Sequence, residues 1–220
     1  GQPFVNIHKQ VLTTALLLMI FAIIGSGIVG LTYQSTYEKI KRNEQLVLLR
    51  KLNTILSPDE YNNDLLEDQI VLEKDDLLGT SEPSKAYLAY MNTRPVAIVL
   101  SPVAPNGYSG PINLLVGIYY DGTIAGVRVV KHRETPGLGD AVESQRSDWI
   151  LGFDYKSLDN PTSKKWRVKR DGGEFDQFTG ATITPRAVVK AVHSALLYFQ
   201  QHRKELFEQT QDGSGTVKNS

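Results

Sequence analysis

The sequence predicts an α+β protein: one N-terminal transmembrane helix, then a domain with a mainly antiparallel sheet and a long C-terminal helix. Three observations predict it. Residues 11–32 (VLTTALLLMIFAIIGSGIVGLT) carry no charge; as a helix they span about 33 Å, enough for a bilayer core of about 30 Å. Between residues 84 and 130 short β-like runs alternate with turn signals, the strongest being Asp121-Gly122 between two such runs. Residues 185–207 then place Val188, Ala191, Val192, Ala195, Leu196 and Phe199 on one stripe at helical spacing, a face for packing on the sheet.

Composition narrows the function. The 220 residues hold one full domain plus an accessory segment. Lys and Arg number 24 and Asp and Glu 24, without the concentrated basic excess of a nucleic-acid binder, so no nucleic-acid partner is expected. There is no cysteine, which excludes thiolate-held iron–sulfur clusters, cysteine zinc sites, disulfides and cysteine nucleophiles within the chain. The four histidines are scattered; His132 and Glu134 imitate a metal pair, but nothing supplies the remaining ligands, so no metal is expected. No P-loop, GxSxG or HExxH occurs, and no catalytic residue is assigned.

In chain order, residues 1–10 are an N-terminal tail. The span at 11–32 reads as retained: a signal peptide has a shorter apolar run before its cleavage site, and here apolar residues continue another turn past Ser26. Ala22, Ser26 and Gly30 line one face, which either admits a partner helix or reflects how common small residues are in membrane helices. Gly25-Ser26-Gly27-Ile28-Val29-Gly30 matches G-x-G-x-x-G, but it lies inside the apolar run, without the preceding strand and aqueous helix start that the dinucleotide motif needs. Only Lys9 precedes the span while Lys39, Lys41, Arg42, Arg50 and Lys51 follow it, which by charge alone puts the domain in the cytoplasm.

Residues 33–83 are expected to be a membrane-proximal helical linker: a helix over 34–57 ended by Pro58, then short helices and turns over 59–76, where Asp59, Glu60, Asp64, Glu67 and Asp68 read as a solvated face. The domain is placed at 84–208. It has strands at 86–91, 96–100, 112–120 and 123–130, a loop at 102–111, a short helix at 140–151, a further strand at 166–169 and a turn at Asp171-Gly172-Gly173. Trp149 and Trp166 are expected in the core and His193 as a solvated or packing residue. Residues 209–220 read as a disordered polar tail.

The chemistry-bearing segment is 175–186, FDQFTGATITPR. Thr184 followed by Pro185 suits an N-cap and first-turn pair. Just upstream, Thr179-Gly180-Ala181-Thr182 offers two hydroxyls and leaves backbone N–H groups accessible at a helix start, a setting for phosphate. Physical grounds leave two readings open, a phosphate-bearing ligand or a capped helix preceded by a glycine turn.

Asp176-Gln177-Phe178-Thr179-Gly180-Ala181-Thr182 resembles the flavinylation motif D-G-x-[ST]-G-A-T of the FMN-binding domain family, with Gln177 where Gly is usual. The resemblance implies FMN carried as a phosphoester on Thr182, with Thr179, Gly180, Ala181 and Thr184 around it. His132-Arg133-Glu134-Thr135-Pro136-Gly137-Leu138-Gly139 resembles that family's H-x-E-T-P-G-L-G loop, which folds against the flavin. There Pro136, Gly137 and Gly139 fix a close-approaching backbone, Leu138 covers a ring face, and Glu134 and Thr135 supply hydrogen-bonding groups. Without the family this stretch reads as an ordinary turn.

Almost the whole chain resembles the G-subunit family of the Rnf ion-translocating electron-transport complex. The C-subunit family of the sodium-translocating NADH:quinone reductase is related, and the extended form QFTGATITPR favours the Rnf family. The resemblance implies one-electron relay among membrane, iron–sulfur and flavin subunits of a ferredoxin:NAD oxidoreductase. It also implies attachment by a separate flavin transferase using FAD, and a single-pass chain in the lipid bilayer of the bacterial inner membrane with its domain on the periplasmic side. That side is preferred to the charge count, because partner subunits constrain topology. The alternatives are the FMN subunit of the quinone reductase, and a non-redox anchored module in which TGAT only caps a helix.

Overall fold

The structure is a computed structural model that describes residues 4–213. Helix α1 runs unbroken over Phe4–Asn53, so the apolar span and the helix expected after it are one element. No proline or glycine lies between Leu31 and Asn53 to interrupt it. Pro58 instead opens a separate 3₁₀ turn, Pro58–Glu60, held by the Ser57 N–H donating to Glu60 Oε2 at 2.8 Å. Among the described residues α1 is the one helix long and apolar enough to cross a membrane, with a mean hydropathy of 2.4 over an entirely unburied window. Tyr33 and Tyr37 stack at 5.9 Å just past the apolar run, where an interfacial aromatic belt belongs.

The chain divides into two compact units, one through Leu48 and one from Leu49 onward. The second unit is built on one antiparallel sheet of β1 (Gln69–Leu72), β2 (Ser84–Met91), β3 (Arg94–Leu100), β4 (Val103–Ala104), β5 (Ile112–Tyr119) and β6 (Ile124–Lys131). β1, β2, β3 and β5 follow one another across it; β4 pairs with Ile112 and Asn113 of β5, and β6 pairs along β5 as well. The β5–β6 hairpin turns at Gly122 (φ 95°), where the Asp121 carboxylate accepts the Thr123 N–H at 2.9 Å.

Alternation sorts the strands onto two covered faces. Leu88, Ile98, Leu100, Leu114, Val116 and Ile118 share one core with α2 (Ile183–Gly213), whose Val188, Ala191, Val192, Ala195, Leu196 and Phe199 are all buried, as the stripe predicts. Tyr87, Ala89, Ala97, Val99 and Leu115 are buried outside that core, as are Leu52, Ile55, Leu56 and Leu65. A Cβ on Gly117 would run into Ile55, so glycine lets the segment after α1 lie on the sheet. Lys51 Nζ donates to the Val129 and Val130 carbonyls at 3.0 and 3.1 Å.

Several elements differ from expectation. β1 lies within the stretch read as helices and turns; it is an edge strand that pairs only with β2, so Gln69 and Val71 stay exposed. The helix expected at 140–151 is two 3₁₀ turns, Gly139–Val142 and Asp148–Phe153. Ser147 separates them, its hydroxyl donating to the Ala141 carbonyl (2.7 Å) and accepting the Trp149 N–H (3.2 Å). No strand forms at 166–169. Val168 makes a single bridge with Phe175, and the loop closes on itself through Lys169 N–H to Phe175 O (2.7 Å) and Gly173 N–H to Val168 O (3.0 Å). α2 extends past position 207 to Gly213; residues 214–220 of the expected tail lie outside the described residues.

Trp166 is buried, and Trp149 is partly buried against the same core. His193 is a packing residue: its ring stacks on Trp166 at 5.3 Å and its buried Nε2 has no hydrogen-bond partner among the described residues. Burial holds its pKa below the ordinary 6.5. The unfolded chain therefore takes up the proton first, and His193 subtracts stability as the pH falls below that value. His193→Phe should flatten the dependence of the melting temperature on pH below the ordinary histidine value of about 6.5 and raise the melting temperature at the acid end. An unchanged profile by circular dichroism would contradict this.

Candidate functional site

The loop after β6, the loop before α2 and the 105–110 loop converge on an open cleft of about 360 Å³, inside the range of roughly 300–1,000 Å³ usual for small-molecule sites. Of the residues singled out in the sequence, Glu134, Thr135, Leu138, Gly139, Gly180, Ala181, Thr182 and Thr184 line it, while Thr179, Pro136 and Gly137 do not. Tyr108 and Ile183 also line it. Neither was singled out: Tyr108 stood in a loop known only by composition, and Ile183 looked like an ordinary residue between two threonines.

The helix start is one place earlier than Thr184-Pro185 suggests. α2 begins at Ile183, and the Thr182 carbonyl accepts the Arg186 N–H at 3.3 Å, so Thr182 holds the N-cap position and Thr184 the first turn. Pro185 sits within that turn at no cost, because first-turn N–H groups have no intrahelical acceptor anyway. The N–H groups of Ile183 and Thr184 are such orphans, at the positive end of the helix dipole. Thr182 is half-buried, and among the described residues its hydroxyl has no protein partner.

Thr184 is placed differently: it is fully buried and its hydroxyl donates to Glu134 Oε2. Glu134 is only 4% exposed, and its Oε1 accepts the Ser109 N–H at 2.9 Å. One carboxylate thus ties together the three segments that form the cleft. The Glu134 N–H donates to His132 Nδ1 at 3.0 Å, which leaves the His132 proton on Nε2, directed at Glu143 Oε1 2.8 Å away. A Cβ on Gly139 would lie 2.7 Å from Glu134 Oε2 and 3.0 Å from Thr184 Oγ1, and one on Gly107 would lie 2.9 Å from Glu134 Oε1. These glycines make room for the buried carboxylate.

The other wall is the turn at 135–139. Gly137 has φ 79°, and its N–H donates to Asp140 Oδ1 at 2.8 Å. The Leu138 and Gly139 N–H groups both donate to the Thr135 carbonyl at 3.1 Å. Leu138 remains 45% exposed, and its Cδ2 approaches Gly180 (φ 80°) closely enough that a Cβ there would touch it at 3.6 Å. The segment ahead of Thr179 is clamped by Trp149, whose Nε1 donates to the Asp176 carbonyl at 2.8 Å and whose ring meets Phe178 edge-on at 5.0 Å. Gln177, standing where the motif has glycine, accepts the Arg170 N–H at 3.2 Å.

Arg186 forks onto Asp171 with two bonds of 2.6 Å. That hydrogen bonding, helped by the charges of Arg170 and Arg167, holds the Asp171 carboxyl below its ordinary 3.8. The pair's stabilisation is complete above the ordinary value and fades as the pH falls through the lowered one. Arg186→Gln should therefore be less stable than the parent at neutral pH and equal to it in strong acid. Urea melts at the two pH values check this, and a difference that persists in acid would contradict it.

Two family profiles match the chain: the FMN-binding domain over residues 107–197 and the RnfG N-terminal region over residues 6–55. The G subunit of the ion-translocating oxidoreductase complex of Vibrio cholerae (strain O395) is 47% identical over 194 residues, 88% of this chain and 92% of that protein. The protein of the same name from Pseudomonas aeruginosa (strain UCBPP-PA14) is 48% identical over 199 residues, 90% of this chain and 93% of that one. The crystal structure of Shewanella oneidensis NqrC shares 24% identity, covering 69% of this chain and 75% of that one with a TM-score of 0.44.

Proposed function

We propose a function from one premise: the chain belongs to the family of G subunits of ion-translocating oxidoreductase complexes. It is a membrane-anchored electron-transfer subunit of such an Rnf complex, with FMN as its cofactor and α1 as its anchor. The finer reading is that Thr182 carries the FMN through a phosphoester on its hydroxyl oxygen. The observation that carries it is the Thr182 hydroxyl itself, without a partner among the described residues, at the N-cap of α2 on the cleft wall.

The residues fit the group. The orphan N–H groups of Ile183 and Thr184 suit phosphate oxygens, and Leu138, Ile183 and Tyr108 offer apolar surface to a ring system. Glu134 does not hold the ring in this reading: both its oxygens accept bonds from the chain, and it positions Thr184 and the first turn of α2. Gly180 and Gly139 keep the backbone close and the cleft open. When bound, the flavin supplies one-electron exchange, and the protein supplies position and electrostatics.

Attachment is assigned to a separate flavin transferase with FAD as donor. The Thr182 hydroxyl gives up its proton, Oγ1 forms the new bond to phosphorus, and AMP departs. The partners are then the other membrane, iron–sulfur and flavin subunits of the complex, with the domain on the periplasmic side of the bacterial inner membrane. Protease added to spheroplasts should cut the domain; protection until lysis would reverse the orientation. The test of function is a denaturing gel of host membranes under ultraviolet light: the band of this chain should fluoresce as flavin. A dark band, with a known flavinylated protein fluorescing in the same lane, would overturn the covalent reading.

A further inference from the structure

Beside the cleft the chain displays an unusual density of cations. Lys164, Lys165, Arg167, Lys169 and Arg170 fall within seven positions and are all exposed, while Trp166 and Val168 between them are buried in the core. Those two anchors fix the segment, so the cations stand on an ordered backbone. Arg186 joins them: it forks onto Asp171, and Arg170 and Arg167 act on the same carboxylate. Six cations thus face three local carboxylates, Asp171, Glu174 and Asp176, the last two paired with Lys156 at 2.5 Å and Lys169 at 2.7 Å. Among the described residues Lys164, Arg167 and Arg170 form no ion pair.

This cluster is joined to the acceptor loop from both sides. Lys169 pairs with Asp176 and Arg170 bonds Gln177, upstream of Thr182; the Arg186 N–H bonds the Thr182 carbonyl, downstream. At the cleft itself Leu138 and Ile183 are 45% and 46% exposed and Tyr108 is 68% exposed. An apolar centre with a charged rim is the anatomy of a transient protein interface, and arginine suits such rims because its guanidinium is weakly hydrated.

We propose that the basic rim formed by Lys164, Arg167 and Arg170 beside the Thr182 cleft docks an acidic protein face, that of the subunit exchanging electrons with the flavin. The proposal rests on the FMN reading of the cleft. Opposite charge steers the encounter and sets its register, and such steering weakens as salt screens it.

The test uses the whole complex, purified with its flavin, as parent and as Lys164→Glu/Arg167→Glu/Arg170→Glu. Intact mass gives the flavin load, stopped flow gives the rate of flavin reduction against salt, and carbodiimide coupling followed by peptide mass spectrometry gives the neighbours of the lysines. The parent rate should fall about tenfold between about 50 and 500 mM salt, as expected for a steered encounter. The triple variant should keep its flavin, react at least about tenfold more slowly at low salt and lose the salt dependence. In the parent, Lys164 or Lys165 should couple to Asp or Glu of another subunit. The milder Lys164→Gln/Arg167→Gln pair should show a smaller loss in the same direction.

A fully loaded triple variant with parental rate and salt profile would overturn the proposal. So would coupling confined to this chain's own Glu174 or Asp176, or a variant that loses only flavin attachment, or one that loses only binding to anionic vesicles. A parent chain bare of flavin defeats the FMN reading instead, and the coupling result still decides the docking face.

Discussion

Thr182→Val is expected to abolish covalent flavin while leaving the domain as stable as the parent. The change keeps shape and removes one hydroxyl, which has no partner among the described residues, so the stability cost should stay within about 0.5 kcal/mol. Expressed beside the flavin transferase, the parent should gain the mass of one FMN less one water, the variant nothing, and Thr182→Ser the parental mass. Thr184→Val should show the reverse. It removes the donor to Glu134 in a fully buried site, which should cost about 1–3 kcal/mol, yet the acceptor oxygen remains and labelling should persist at a lower rate. Equal labelling of the Thr182→Val and parent chains would sink the assignment.

Glu134→Ala should give the largest loss of stability at the site. It leaves the Thr184 hydroxyl without its acceptor in the interior, frees the N–H of the exposed Ser109 from the site, and opens a small cavity between three segments. The orphaned buried hydroxyl costs about 1–3 kcal/mol and the cavity adds about 1 kcal/mol, so a total of about 2–4 kcal/mol is expected, or a melting temperature lower by roughly 5–12 °C for a domain of this size. Glu134→Gln keeps the shape and one acceptor oxygen and should fall between the two. Flavin labelling should slow in both variants, because the first turn of α2 loses its tie to the opposite wall. Parental melting and labelling in Glu134→Ala would show that the buried carboxylate organises nothing.

What could be read from the sequence was local. The β5–β6 hairpin was legible because Asp121-Gly122 carries its own turn chemistry, and α2 because its apolar stripe repeats at helical spacing over several turns. The 176–184 loop and the 132–139 turn were legible as motifs, and the structure brings most of the residues singled out in them to one cleft. What escaped depended on distant partners. β1 becomes a strand only through β2, and the 163–175 loop hides the alternation of Trp166 and Val168 in a closed turn. Glu134 was legible as a hydrogen-bonding group of the loop, but nothing in the sequence showed that Thr184, fifty positions away, and Ser109 would bond its two oxygens. The N-cap moved from Thr184 to Thr182 because proline is tolerated throughout a first turn, so Thr-Pro does not by itself mark where a helix begins.

The most direct measurement is peptide-level mass spectrometry of the chain purified from its own membranes. The central claim predicts that the peptide covering residues 175–186 carries one riboflavin phosphate, with fragment ions placing it on Thr182 and leaving Thr179 and Thr184 bare. The same peptide recovered unmodified, or with the phosphate on another threonine, would contradict it.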